Sequence, residues 1–415
     1  MKKLKACCRH PPSSSDGSLK LKVNEEEEHD HKPYILQLPD DVTVQIFCKL
    51  PIKTLVECNR TCKSWRCLLS DPQFTEDLFS RTPDCLLFNK LNHPNWKGQF
   101  LVDFDRASNR KQVVLKRISK IIYPNVKAKV HEYSLVGSCN GFLCYRESLV
   151  YPSMTEVHCF YLSNPVTGES LTLPTPAEPA KRDCLGFGFS PVSNLYKVVQ
   201  IMSPFEGSCD VMVLKVGSGI WRKTGESIYS FHGNCGVYLN GFLYWIAQSR
   251  NRDRPFLNAY GIPVSLSAGA PFLCAFDVER ECFQQLPLPP CRLHLTIAPL
   301  KLGVLNGCLF LILRSTSNMI EIWVMKESWT KEHEFTYSSK FCVTKILKFT
   351  KEGKILFTHD NHLWAYTPKR VVRVDNDDLP SNLSEGFLHI PNFAPLWPSL
   401  LNRNQVKQES DTESE

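Results

Sequence analysis

The chain has 415 residues, of which 43% are hydrophobic and 22% are charged, proportions typical of a globular rather than a disordered protein. This length predicts two or three domains. The formal net charge of +7 is modest, and nucleic-acid binders usually concentrate basic charge on one element, so we expect no nucleic-acid partner. The most basic stretch, residues 106–129, alternates Lys and Arg with aliphatic residues. This pattern predicts a solvated strand face, with a patch for an acidic partner as the alternative.

Both ends of the chain are polar. Residues 1–34 are predicted to form a disordered leader and residues 403–415 an acidic disordered tail. The first residues contain no apolar core of signal-peptide length, and no apolar run is long enough to span a bilayer. Eighteen cysteines scattered through a long chain in which no secretory signal is visible predict reduced thiols. We therefore expect a protein of the cytoplasm, the nucleus or both, without a membrane partner.

A short helical unit is predicted over residues 38–74. Val42, Ile46 and Leu50 lie four residues apart, so they share one helix face. Pro51 ends this helix, because the residue before a proline is pushed out of the helical region, and two further helices are predicted after it. A unit of under ~50 residues rarely folds alone. Its apolar faces must therefore be covered by the rest of the chain or by another protein.

The same segment resembles an F-box in three groups of residues. They are the opening Leu38-Pro39 with Asp41-Val42, the central Leu50-Pro51 with Lys53 and Leu55, and the closing Cys62-Lys63, Trp65-Arg66, Asp71-Pro72 and Phe74. The resemblance implies a three-helix F-box at residues 35–80 that docks on a Skp-type adaptor and so joins a cullin ubiquitin ligase. The expected adaptor contacts are Leu38, Pro39, Val42, Ile46, Leu50, Pro51, Ile52, Leu55 and Trp65. Trp65 is the member most open to packing between the helices instead, and an unrelated helical cap on the next domain is the alternative to an F-box.

Residues 84–398 consist mainly of short strand-like segments bounded by turn signals, which predicts an all-β sandwich, barrel or propeller. One repeated phrase has an Asn-Gly pair between apolar stretches, at residues 140–141, 240–241 and 306–307, with a looser copy at 352–353. Asn-Gly favours the type I′ turn of a tight hairpin, in which both residues have positive φ. A second repeated phrase ends in Leu-Pro, at Pro174 and at Pro287. A third repeated phrase leads into a tryptophan, Trp221 in one copy and Trp329 in the other. Repetition over about 310 residues, at about 40–50 residues per blade, predicts a β-propeller of six to eight blades.

These phrases resemble the F-box-associated domain, described as kelch-like or galactose-oxidase-like, of a large plant F-box family. The matching stretches are Ser138-Cys139-Asn140-Gly141-Phe142-Leu143-Cys144, Leu162-Ser163-Asn164-Pro165, Gly186-Phe187-Gly188-Phe189, Tyr196-Lys197-Val198-Val199 and Trp221-Arg222. The resemblance covers most of residues 38–370 and implies a subunit that recruits proteins for ubiquitination and proteasomal degradation. Ala394-Pro395-Leu396-Trp397 replaces the family's usual Glu-Ser-Leu, so closure of the last blade stays open at this point.

No catalytic motif is found, since the sequence lacks a nucleophile elbow, a phosphate-binding loop and a His-Glu-x-x-His pair. We therefore expect a non-enzymatic protein with no catalytic residue, no cofactor and no metal site. The alternatives are a propeller that binds a sugar or small molecule, including an enzyme of the galactose-oxidase type, and an adaptor-bound scaffold outside the cullin ligase.

The longest insertion between the β phrases runs from about residue 249 to 271. It carries Arg250, Arg252, Arg254, Phe256 and Tyr260, residue types that are favoured at protein interfaces. We expect it to project from one propeller face and to help select an unknown protein substrate. A disordered insertion without a partner is the alternative.

Overall fold

The computed structural model describes residues 38–82, 84–90, 98–102, 129–150, 156–176, 183–202, 209–227, 229–249, 271–290, 300–314, 319–336, 345–349, 354–359, 362–367, 370–374 and 383–396. The predictions on the leader, the acidic tail, the looser hairpin at 352–353 and the substrate residues Arg250 to Tyr260 lie outside the described residues. So does most of the basic stretch at 106–129.

The N-terminal helical unit contains four helices, one more than the three predicted from the sequence. They are α1 (Asp40–Phe47), α2 (Ile52–Thr61), α3 (Lys63–Leu69) and α4 (Pro72–Arg81). Asp71-Pro72 ends α3, as predicted, but it also starts α4. The Phe74 backbone N–H donates to Asp71 Oδ1 at 3.0 Å, and Pro72 stands at the first helical position, where its missing N–H costs nothing.

The core of the helical unit is shared with the β domain. Phe47 is 1% exposed and packs edge-on against Trp65 and Phe74, with ring centroids 5.3 and 6.2 Å apart. The same cluster of buried side chains contains residues of the helices and of the strands, namely Leu55, Val56, Leu69 and Leu78 together with Cys85, Leu87, Leu143, Tyr145, Val166, Phe387 and Phe393. The rest of the chain therefore covers one side of the helical unit.

The described strands form six blades, within the range predicted from the repeats. The domain starts with β1 (Cys85–Lys90) and β2 (Gly98–Val102), which belong to blade VI together with the last strand, β23 (Leu383–His389). Blade I contains β3 (Lys129–Cys139), β4 (Phe142–Val150), β5 (Glu156–Ser163) and β6 (Ser170–Leu173), and blade II contains β7 (Asp183–Ser190), β8 (Leu195–Met202), β9 (Cys209–Lys215) and β10 (Trp221–Ser227). Blade III contains β11 (Tyr229–Leu239), β12 (Phe242–Ser249), β13 (Phe272–Asp277) and β14 (Cys282–Leu286), blade IV contains β15 (Lys301–Leu305), β16 (Cys308–Arg314), β17 (Met319–Met325) and β18 (Trp329–Thr336), and blade V contains β19 (Lys345–Phe349), β20 (Ile355–His359), β21 (His362–Thr367) and β22 (Arg370–Arg373).

Strands from both ends of the domain close the ring. In blade VI, β1 lies between β2 and β23 and is antiparallel to both. The first strands of the blades (β3, β7, β11, β15, β19 and β23) are neighbours around the centre, and β23 returns to β3. The last blade, whose closure the sequence left open, is thus completed by the N-terminal strands of the domain. Such closure joins the ends of the ring by main-chain hydrogen bonds.

The connections alternate between two faces of the propeller, because neighbouring strands within a blade are antiparallel. The turns from first to second strand and from third to fourth strand lie at one face, which we call the turn face. The connections from second to third strand, and those leading to the next blade, start and end at the opposite face, which we call the loop face. Strand β12 ends and β13 begins at the loop face.

The Asn-Gly pairs form the left-handed turns predicted from the sequence. Asn140, Asn240 and Asn306 have φ of 49°, 48° and 48°, and the glycines that follow have φ of 81°, 84° and 72°. Positive φ at both central positions is the signature of a type I′ turn. This confirms the prediction for the first three copies of the phrase.

The other two repeated phrases meet each other between neighbouring blades. The indole N–H of Trp221, at the start of β10, donates to the carbonyl of Pro174, which follows the last strand of blade I, at 2.8 Å. Trp329, at the start of β18, makes the same contact with Pro287 after blade III, at 2.9 Å. The repeated tryptophans and Leu-Pro ends therefore join successive blades.

His389 ends β23 and is 1% exposed. Its Nδ1 lies 3.1 Å from Ser138 Oγ, and burial lowers the pKa of its imidazole to about 3. In the unfolded chain the pKa returns to about 6.5, so between about pH 6.5 and pH 3 the unfolded state binds a proton that the folded state does not. Stability is therefore lost as the pH falls through this window, by up to ~1.4 kcal/mol per pH unit.

We expect the wild-type protein to lose about 2 kcal/mol more unfolding free energy than the His389→Asn variant between about pH 7 and about pH 5. Asparagine keeps a polar atom near Ser138 but does not titrate. Chemical unfolding of both proteins at the two pH values measures the difference. Equal losses would show that His389 does not set this pH dependence.

Candidate partner-binding surfaces

Helix α1 has an inner and an outer apolar row. Thr43 and Phe47 point into the core, whereas Val42, Ile46 and Leu50 form the row predicted from the sequence. Val42 is 37% exposed, and Ile46 and Leu50 are half-buried, packed against the core cluster. The helix ends at Phe47 and not at Pro51 as predicted, so Leu50 belongs to the turn that follows α1. The outer row therefore leaves apolar surface on the helical unit that the described part of the chain does not cover.

The other expected adaptor residues divide between surface and core. Pro39 is exposed, Leu38 and Pro51 are half-buried, and the side chain of Ile52 lies outside the described residues. Leu55 is only 2% exposed in the free chain, where its side chain belongs to the shared core; its direct contact with the adaptor stays a prediction. Trp65 is half-buried against Phe47, which is the alternative left open from the sequence.

Phe47 is the core residue that the sequence analysis missed. Its spacing of four from Thr43 gives α1 a second row beside Val42, Ile46 and Leu50. The sequence signal for the buried row was its aromatic residue, because large aromatic side chains dominate the energetics of protein cores. Its partners Trp65 and Phe74 come from α3 and α4, so the sequence alone did not reveal them.

The edge of the helical unit formed by the end of α2 and by α3 is basic. Arg60, Lys63 and Arg66 are all exposed within seven residues of one another. The Arg66 side chain also donates to the Asn59 carbonyl at 3.2 Å, which orients its guanidinium. Such a charge distribution favours the approach of an acidic partner surface.

Polar side chains are buried between blades I and II towards the loop face. Arg146 and Asp183 form an ion pair of 2.5 Å with side-chain exposures of 9% and 5%, and Gln200 donates to the second Asp183 oxygen at 2.9 Å. These groups bind each other across the gap between blades. They therefore join the blades and are not presented at the surface. A small-molecule site at the propeller mouth would require polar groups at the surface.

A buried lysine joins blades II and III at the turn face. Lys197 is 3% exposed, and its Nζ donates to the Val278 carbonyl at 2.6 Å and to Glu281 Oε1 at 2.9 Å. Burial alone would raise the pKa of Glu281, but hydrogen bonds from Lys197 and Arg222 outweigh it and hold that pKa below its ordinary value. The sequence stretch around Tyr196 and Lys197 thus has a structural role.

The described residues include buried cysteines together with several histidines and carboxylates. Among them, no group of three or more His, Cys, Asp or Glu residues is arranged to hold a metal ion, and none of their helices is long and apolar enough to cross a membrane. Burial raises the pKa of the Cys184 and Cys274 thiols to about 12. They stay protonated at neutral pH and are poor nucleophiles.

Comparison with known proteins follows the same division of the chain. Residues 86–374 match the family model described as the F-box associated beta propeller domain. The chain belongs to this family. Residues 35–81 match the F-box-like family, so the helical unit is an F-box and the propeller is its associated domain. The F-box packs at the turn-face ends of blades I and VI, since the strand residues in the shared core lie there.

Several Arabidopsis thaliana proteins are similar to this F-box protein over most of its length. An F-box protein is 28% identical, covering 80% of this chain and 85% of its own length. An F-box/kelch-repeat protein is 24% identical, covering 71% and 78%. A putative F-box protein is 25% identical over 61% of each chain. The names of all three relatives include the F-box, and the name of one also includes kelch repeats.

Proposed function

We propose that this protein is the substrate-recognition subunit of a Skp–cullin–F-box ubiquitin ligase. The observation that carries the proposal is the outer row of α1, in which Val42 stays exposed although the other side of the F-box is packed on the propeller. This row binds the Skp-type adaptor, in the manner of an apolar helix face fitting a groove, and the adaptor connects to the cullin. The proposed location is the cytoplasm, the nucleus or both.

The proposed contribution to ubiquitin transfer is proximity and not chemistry. The F-box packs at the turn face, so the loop face points away from it and is free for the protein to be ubiquitinated. Loops held on a rigid scaffold are the usual place for binding residues. The candidate substrate residues Arg250, Arg252, Arg254, Phe256 and Tyr260 lie between β12 and β13, which end and begin at the loop face. Their arginines suit an acidic or phosphorylated partner.

The test is affinity purification of tagged full-length variants with the proteasome blocked, followed by mass spectrometry. Val42→Asp is expected to lose the Skp adaptor by at least about tenfold, because a charge on the outer row has to be desolvated in the complex. The substitution leaves the fold intact, since an acidic residue is favourable in the first turn of a helix. Val192→Asp is the matched control, because Val192 is 79% exposed on the propeller and should keep the adaptor.

A second arm of the same experiment tests the substrate surface. A variant with serine at all five candidate positions, from Arg250 to Tyr260, should keep the adaptor and lose proteins that accumulate with the wild type. Adaptor recovery unchanged in Val42→Asp would refute the assignment of the outer row. Full recovery of every co-purifying protein with the five-serine variant would refute the substrate loop.

A further inference from the structure

The segment after β23 crosses the turn face of blade I, and we call residues 390–396 the C-terminal strap. Asn164 Nδ2 donates to the carbonyls of Asn392 and Ala394 at 3.0 and 2.8 Å. Asn392 Nδ2 in turn donates to the carbonyl of Asn140 at 2.9 Å. The strap is thus hydrogen-bonded to both turns of blade I, the one between β3 and β4 and the one between β5 and β6.

Two side chains of the strap point into different cores. Phe393 is 2% exposed and lies in the cluster that contains Phe47 and Leu55 of the F-box. Leu396 is fully buried in the cluster of blades I and II, and its backbone N–H donates to Glu169 Oε2 at 2.6 Å. The strap is therefore anchored at Leu396 in the core of blades I and II, and at Phe393 in the core that the F-box shares with the propeller.

The strap also explains two of the sequence stretches that resemble the family. Asn164 is fully buried, and it meets the strap from the Leu-Ser-Asn-Pro stretch. Gly141 of the Ser-Cys-Asn-Gly stretch lies directly under the strap, where an added Cβ would come within 2.1 Å of Asn392 Cβ. Both stretches therefore form the surface on which the strap lies.

The covalent connection between F-box and propeller is short. Helix α4 ends at Arg81 and β1 begins at Cys85. Within this connection, Asp84 Oδ1 accepts a hydrogen bond from Lys348 Nζ at 3.1 Å, and the Cys85 thiol donates to the His389 carbonyl at 3.2 Å. These contacts hold the connection itself, whereas the strap adds Phe393 to the core that the F-box and the propeller share.

We propose that the C-terminal strap is a latch that holds the F-box in one orientation on the propeller. With Phe393 in place, the F-box helices and blade I share one core. With Phe393 withdrawn, the F-box loses this shared packing and changes its orientation, while the ring, closed separately by β1 and β23, stays intact. The consequence for ubiquitination rests on the proposed function, because a fixed F-box sets the position of the adaptor relative to the loop face.

Hydrogen exchange measured by mass spectrometry on the free full-length chain tests the latch without any partner. Phe393→Ala is expected to raise exchange rates of the F-box helices by at least about tenfold, whereas blades II to IV keep their protection, because protection is lost locally where an element opens. Ile390→Ala is the matched control: it truncates an apolar side chain of the same strap that is 37% exposed, and it should exchange like the wild type.

Asn392→Ala tests the latch if Phe393→Ala does not fold, because it removes hydrogen bonds of the strap without removing a side chain from the core that contains Phe393. It should also raise exchange in the F-box selectively. Unchanged F-box exchange, or an equal rise in all blades, would overturn the latch. Adaptor pull-down is run in parallel: a wild-type chain that binds no adaptor refutes the proposed function but leaves the exchange result on the latch standing.

Discussion

Replacing Leu55 with alanine is expected to destabilise the free protein by ~2–5 kcal/mol, because the lost methyl groups leave a cavity in a fully packed site. Leu55 is 2% exposed and lies in the core shared by the F-box and the propeller. The measurement is chemical unfolding of the purified full-length chain without adaptor. Any loss of adaptor binding in this variant would then follow from a damaged F-box rather than from a missing contact.

Val42→Ala is the matched control for Leu55→Ala. It truncates an apolar side chain of the same F-box that is 37% exposed, and surface substitutions usually change stability by no more than ~0.5 kcal/mol. We expect Val42→Ala to unfold like the wild type and to bind the adaptor more weakly. If Leu55→Ala were as stable as Val42→Ala, Leu55 would not be a core residue.

Replacing Gly141 with alanine is expected to be the most damaging of three equivalent substitutions in the Asn-Gly turns. Gly141, Gly241 and Gly307 have similar positive φ, so each alanine has the same left-handed strain of ~1–2 kcal/mol. Their surroundings differ. A Cβ added at Gly141 meets Asn392 Cβ at 2.1 Å, one added at Gly241 meets Pro191 Cδ at 3.5 Å, and one added at Gly307 meets nothing within 4 Å. Gly141→Ala should therefore lose a further ~1–3 kcal/mol from overpacking.

Chemical unfolding of the three alanine variants measures this order, with Gly307→Ala as the control for backbone strain alone. The expected order of destabilisation is Gly141→Ala, then Gly241→Ala, then Gly307→Ala. Equal losses at positions 141 and 307 would mean that the strap moves aside without cost, which would also argue against a latch.

The turns were predictable because their conformation is encoded in two adjacent residues. An Asn-Gly pair accepts positive φ wherever it occurs, so Asn140-Gly141 needed no tertiary information. The contact of this turn with Asn392 did not follow from the sequence, because Asn392 is far away along the chain. The role of Asn164 was hidden for the same reason: its side chain binds the carbonyls of the strap, and a carbonyl has no sequence signature.

The helical unit shows where helix periodicity stops being informative. The spacing of Val42, Ile46 and Leu50 predicted one apolar face, but α1 also carries Phe47 in a second row. Phe47 points inwards because it packs against Trp65 and Phe74 of the later helices. Leu55 was assigned to a partner surface because the helical unit was too small to bury it alone. In the structure Leu55 lies in a core that the helices share with the propeller, which is the other of the two coverings that the sequence left open.

The ring closure has a consequence for how the protein is made. Cys85 and His389 face each other in blade VI although they are 304 residues apart in the chain, and contacts of such long sequence separation form late in folding. Strand β1 leaves the ribosome early, and the edge that pairs with β23 stays without its partner until β23 has been synthesised. The F-box also waits for the end of the chain, because Phe387 and Phe393 belong to the core that it shares with the propeller. A chain released before about residue 396 therefore exposes apolar surface from the F-box and from β1, which marks it for chaperones and proteases.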